Sequence, residues 1–87
     1  MYKVVFLKQA IRDLKKLDKY TQVMIYSWIS KNLDGCENPR LKGKSLTGDF
    51  KGHWRYRVGD YRIICMIQDK ELLIETLNIG HRRDIYK

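Results

Sequence analysis

Arg55, Arg57 and Arg62 stand close together in the run Trp54-Arg55-Tyr56-Arg57-Val58-Gly59-Asp60-Tyr61-Arg62-Ile63. A guanidinium is a planar fork that stays charged to above about pH 12 and meets two phosphate oxygens at once. Such groups can hold a phosphodiester and neutralise the charge that develops on it. Attack of a ribose 2′-hydroxyl on its neighbouring phosphate would also require a group that removes a proton and a group that returns one to the leaving oxygen. The candidates for that duty are His81, Tyr86, His53 and Glu75. No cluster of Asp, Glu and His has the spacing of metal ligands, so neither a metal nor another cofactor is expected.

The charge balance points the same way. Eighteen Lys and Arg against ten Asp and Glu leave a formal charge of +8 on 87 residues, a field that draws polyanions. Nucleic acid is the first partner to consider, and a solvated basic surface that only maintains solubility is the alternative. The two cysteines, Cys36 and Cys65, form neither a CxxC pair nor a disulfide framework and read as free thiols in a reducing cytoplasm. The longest apolar run, Ile63 to Ile67, falls far short of the roughly 20 residues that span a bilayer. The N-terminus lacks the layout of a signal peptide. These features lead us to expect a single cytoplasmic domain over residues 1–87 with no membrane partner.

The elements that must position the arginines follow from hydrophobic periodicity. Val4 to Leu7 reads as an opening strand. Ala10, Ile11, Leu14 and Leu17 recur at helical spacing from Lys8 to about Tyr20. Thr21 is a candidate cap for a second helix whose stripe is Met24, Ile25, Trp28, Ile29 and Leu33, ended by Asp34-Gly35. Cys36 to Gly52 is a long connection, expected to be functional or mobile. Three strands follow, roughly His53–Val58, Tyr61–Ile67 and Leu72–Ile79. The expectation is an α+β fold in the order β-α-α-β-β-β, with two helices on a mainly antiparallel four-stranded sheet.

Gly59-Asp60 fits a two-residue type II′ hairpin, and that sets a register. Val58 faces Tyr61, Arg57 faces Arg62, Tyr56 faces Ile63, Arg55 faces Ile64 and Trp54 faces Cys65. Alternation then places Trp54, Tyr56, Val58, Tyr61, Ile63 and Cys65 toward the core and Arg55, Arg57 and Arg62 on the other side. Like charges opposite each other in a sheet cost about 0.2–1 kcal/mol, and a bound anion would offset that. An Asp69-Lys70 turn would set Glu75 across from Ile64, where it would partly neutralise the cluster. The tail Gly80-His81-Arg82-Arg83-Asp84-Ile85-Tyr86 follows the last strand and can reach the arginines.

Taken together, the Trp54–Ile63 run, Leu46 and Gly48 before it, and the Gly80–Tyr86 segment resemble the RelE branch of the RelE/ParE toxin superfamily over essentially the whole chain. The resemblance implies a toxin of a type II toxin–antitoxin system, an mRNA interferase that cuts mRNA in the ribosomal A site without a metal. It implies an active site of Arg55, Arg57, Arg62, Arg82 and Tyr86, with His81 available for proton transfer. Lys51 and Arg83 extend the RNA-binding set formed by Arg55, Arg57 and Arg62. Relatives often carry Lys at positions 55 and 57; Arg there favours orientation and charge stabilisation over general-base duty. The implied partners are a cognate antitoxin, mRNA and the ribosome, with operator DNA reached only through the antitoxin complex. Ile64, Met66 and Leu77 on the outer sheet face would suit the antitoxin or pack against the tail. The rivals are a ParE-like inhibitor of DNA gyrase without ribonuclease activity and an inactive, antitoxin-binding member.

Overall fold

The computed structural model describes residues 1–81 and Arg83. Strand β1 (Lys3–Phe6) leads into helix α1 (Lys8–Lys15) and helix α2 (Lys19–Asn32); β2 (Lys44–Ser45), β3 (Trp54–Val58), β4 (Tyr61–Gln68) and β5 (Leu73–His81) complete the sheet. Strand order is β1-β5-β4-β3-β2. β1 runs parallel to β5, and the other pairs are antiparallel. The α+β class and the two-helix layer are as expected. The fifth strand is an addition, a short one drawn from the long connection.

α1 stops at Lys15, earlier than the periodicity suggests, because Asp18 starts the next helix. The Asp18 carboxylate accepts from the Thr21 amide at 3.1 Å and from the Thr21 hydroxyl at 2.6 Å. Asp18, not Thr21, is therefore the cap. Thr21 sits one turn in, where its free amide needs an acceptor and its hydroxyl can donate to the same carboxylate. Those two bonds lower the Asp18 pKa. At the other end, the Asp34 amide reaches the Ile29 carbonyl at 3.0 Å, and Gly35 takes φ 83°, a left-handed stop suited to glycine.

Ile25 and Ile29 of α2, Leu33 just after it and Ala10 of α1 are buried against Tyr56, Val58, Ile63, Cys65, Ile74 and Ile79 of the sheet. Met24, Trp28, Leu14, Leu17 and Trp54 are partly buried around them, whereas Ile11, assigned to the α1 stripe from spacing, is exposed. Burial in this core pushes the Cys65 thiol up to about 12, so it behaves as a small hydrophobe. No helix among the described residues is long and apolar enough to cross a membrane.

The β3–β4 register matches the expected one at all five pairs. Gly59 has φ 59° while Asp60 does not enter the left-handed region, as a type II′ turn requires. The β4–β5 register differs. Its turn spans Asp69 to Leu72, with Gln68 paired to Leu73 and Leu72 at φ 54°. A bulge follows, since Ile64 pairs with Asn78 and Cys65 with Thr76, leaving Leu77 as the extra residue. The inserted residue resets the alternation, so Ile74, Thr76 and Ile79 all face the core.

The long connection is strapped to the sheet edge. The Trp54 indole Nε1 donates to the Lys42 carbonyl at 2.7 Å, and the Tyr56 hydroxyl donates to the Pro39 carbonyl at 2.6 Å. Gly43 has φ 80°, and a Cβ there would collide with the Arg55 carbonyl oxygen. Only glycine lets the strap approach β3 this closely. Arg40 grips Asp69 with two bonds of 3.0 Å, while the Tyr2 hydroxyl donates to the same carboxylate at 2.6 Å.

Candidate nucleic-acid interface

Three strands build a basic row. Lys44 of β2 is the register partner of Arg55 on β3, and Arg57 of β3 is the partner of Arg62 on β4. Paired residues in adjacent strands project to the same side, so the row lies on the sheet face away from the helices. Lys44 and Arg57 are exposed, and Arg55 and Arg62 are half-buried. The Nε of Arg55 is buried without a hydrogen-bond partner among the described residues. Arg40–Asp69 is the ion pair found among those residues; neither Arg55 nor Arg57 has a carboxylate partner there.

Glu75 does not supply one. The four-residue turn places it opposite Met66 rather than Ile64, and its Oε1 accepts from the Gln68 amide at 2.9 Å. Ile64 is also not the exposed residue expected for a docking face. It is 2% accessible, in a central strand between Arg55 and Asn78, where an arginine stem covers apolar surface. Met66 and Leu77 are half-buried.

His81 ends β5 opposite Tyr61, and the two rings meet edge to face at 5.6 Å. It therefore shares the Tyr61 side of the sheet, while Arg62, the next residue of β4, projects to the other. Its Nδ1 accepts from the Arg83 amide at 3.3 Å, which leaves the proton of the neutral ring on Nε2. Arg83 is exposed beside it. His53 lies apart from the row; its Nδ1 is 2.9 Å from the Phe50 carbonyl, and it closes the turn after the 3-10 segment Gly48–Phe50. Lys51 is exposed in that turn. Arg82 and Tyr86 lie outside the described residues. Among the described residues, no three His, Cys, Asp or Glu side chains gather as a metal site.

Lys44 is the site residue that sequence reasoning missed. Its signal was the alternation of Lys42, Gly43 and Lys44 ahead of Leu46, a short edge strand hidden inside a loop-rich segment.

A basic sheet face backed by two helices defines a small α+β protein equipped to bind a polyanion. Over residues 4–86 the sequence matches the family described as ParE toxin of type II toxin-antitoxin system, parDE, and the chain belongs to that family, within the RelE/ParE superfamily. Toxin RelG of Mycobacterium tuberculosis is 31% identical over 86 residues, covering 99% of this chain and 97% of the relative. Toxin RelE of the same organism is 30% identical, covering 99% of this chain and 87% of the relative. The toxin–antitoxin complex RelBE2 from Mycobacterium tuberculosis contains a chain that superposes with a TM-score of 0.84 at 30% identity, covering 93% of this chain and 98% of that one. The isolated RelE toxin of E. coli shares the fold at a TM-score of 0.73 and 19% identity, covering 99% of this chain and 92% of that one.

Proposed function

We infer that this chain is a metal-independent endoribonuclease, an mRNA interferase that cuts mRNA in the ribosomal A site and is held in check by a cognate antitoxin. The observation that carries the reading is the pairing of Arg57 with Arg62 beside Arg55 on one sheet face, an arrangement that folding alone disfavours and that a phosphodiester stabilises. Arg55, Arg57 and Arg62 orient the RNA and neutralise the phosphorane formed when the 2′-hydroxyl attacks. Arg82 and Tyr86 complete the site by resemblance, with Tyr86 as the group that transfers a proton. His81, the second candidate for that role, stands at the end of β5 on the Tyr61 side of the sheet, opposite to Arg62, and is the weaker of the two. The solved complex RelBE2 pairs a similar chain with an antitoxin, which supports an antitoxin partner here.

The ParE name in the family description favours a second reading, for which the resemblance implies inhibition of DNA gyrase with no RNA cleavage. Programmed ribosomes mixed with the purified chain separate the two. Cleavage of the mRNA at the A-site codon, with gyrase supercoiling unaffected in a parallel reaction, is the expected outcome. Loss of supercoiling with intact mRNA reverses the assignment.

A further inference from the structure

The open edge of β3 carries a cleft that the arginine row alone does not explain. It encloses about 330 Å³ and is lined by Trp28, Lys42, Gly43, Lys44, Arg55 and Arg57. That volume is at the small end of the range for small-molecule sites. Four of the six lining residues are cationic and none is acidic. Its walls are held in place independently of any ligand. The Lys42 carbonyl is bonded by the Trp54 indole, Gly43 is pressed against the β3 backbone, and Lys44 is paired in the sheet. Trp28 is braced against Tyr56, with ring centroids 5.9 Å apart. Preset walls of this kind lower the ordering cost of binding.

We propose that this cleft is a nucleotide subsite, in which Lys42 and Lys44 take the phosphate of single-stranded RNA next to the one that Arg55, Arg57 and Arg62 hold, and Trp28 takes the attached base. Cations alone would accept any phosphate. The aromatic wall adds a contact that inorganic phosphate cannot use and that every base can, because each has a π-face. The choice of RNA as the source of the nucleotide rests on the ribonuclease reading. The subsite lies one strand outward from Arg62, so it holds a nucleotide flanking the scissile phosphate and fixes the register of the strand on the sheet.

The test follows the two indole N–H resonances of the isotope-labelled 87-residue chain during titration with adenosine 5′-monophosphate, and separately with inorganic phosphate. The resonances are assigned with Trp28→Phe. Nucleotide should move the Trp28 resonance and bind roughly tenfold more tightly than phosphate, the scale of one base–aromatic contact. The Lys42→Ala/Lys44→Ala double variant, both positions being exposed, should fold as the parent does and weaken nucleotide binding about tenfold or more. Equal affinity for phosphate and nucleotide, or a Trp28 resonance that does not move, overturns the proposal. Ribosome-programmed cleavage is measured on the same proteins. Cleavage that the double variant leaves untouched overturns the subsite while the ribonuclease reading stands. Nucleotide binding at Trp28 in a chain that cuts no mRNA upholds the subsite and removes the ribonuclease reading.

Discussion

Two arginine-bearing regions sit on the same small sheet and are treated in opposite ways. Arg40 is tied to the Asp69 carboxylate through both terminal nitrogens, shares that carboxylate with Tyr2, and lies 6.0 Å from the centre of the Trp54 ring. The bonds from Arg40 and then Tyr2 lower the Asp69 pKa, and the bond to Asp69 raises that of Arg40. Every charge in that network has its partner inside the chain, and the network joins the strap to the β4–β5 turn. Arg55 and Arg57 have no such partner among the described residues and instead face further cations, Lys44 and Arg62. A cation compensated within the fold reads as structure, and a row of cations set against one another reads as a place for a ligand.

The largest expected effect tests the arginine row on the sheet. Arg62→Ala should lower the rate of mRNA cleavage by about 10²-fold or more, the scale of removing one charge-stabilising donor, and Arg82→Ala should do likewise. Both variants should keep a cooperative circular dichroism melt. A collapsed melt would make Arg62 a folding residue and erase the contrast with Arg40.

The strap should respond in stability and not in chemistry. Tyr56→Phe deletes the hydroxyl that satisfies the Pro39 carbonyl. It should cost about 1–3 kcal/mol, each kcal/mol lowering Tm by roughly 4–8 °C in a domain of this size. An unchanged Tm would mean that the strap is held elsewhere.

Smaller still is the change in salt dependence. RNA binding should weaken with salt at about 0.7 in log K per log salt for each phosphate neutralised. Arg55→Ala and Arg57→Ala should each flatten that slope by about one such increment, whereas Arg40→Ala should leave it alone. Equal flattening by Arg40→Ala would merge the two regions into one interface.

The smallest effect belongs to the exposed Arg40–Asp69 pair, because surface ion pairs contribute little. The folded-state pKa of Asp69 is lowered, so its contribution is fully present above the unfolded value, about 3.9, and is lost as pH falls through the lower folded value. Urea midpoints of the parent and Asp69→Asn should therefore differ at neutral pH and converge in acid. A gap that stays constant with pH would assign it to packing instead of charge.

Much of this was legible from the chain alone. Period-two alternation across a two-residue Gly-Asp turn leaves a single register that buries Tyr56, Val58 and Ile63, so the pairing of Arg57 with Arg62 follows from local rules. What only the tertiary structure decided depends on contacts between distant segments. The Asp69–Leu72 turn lengthens, which moves Glu75 away from the arginines, and Leu77 bulges, which returns Ile79 to the core, although neither event has a strong local signal. Lys44 becomes a strand only because Gly43 can lie against the Arg55 carbonyl and Trp54 can hold Lys42 from twelve positions away. Asp18 displaces Thr21 as cap because a carboxylate one turn earlier reaches both the amide and the hydroxyl. Local spacing sets which face a side chain takes, while the neighbours brought to that face come from long-range packing, and the sequence pattern of either segment alone does not encode that packing.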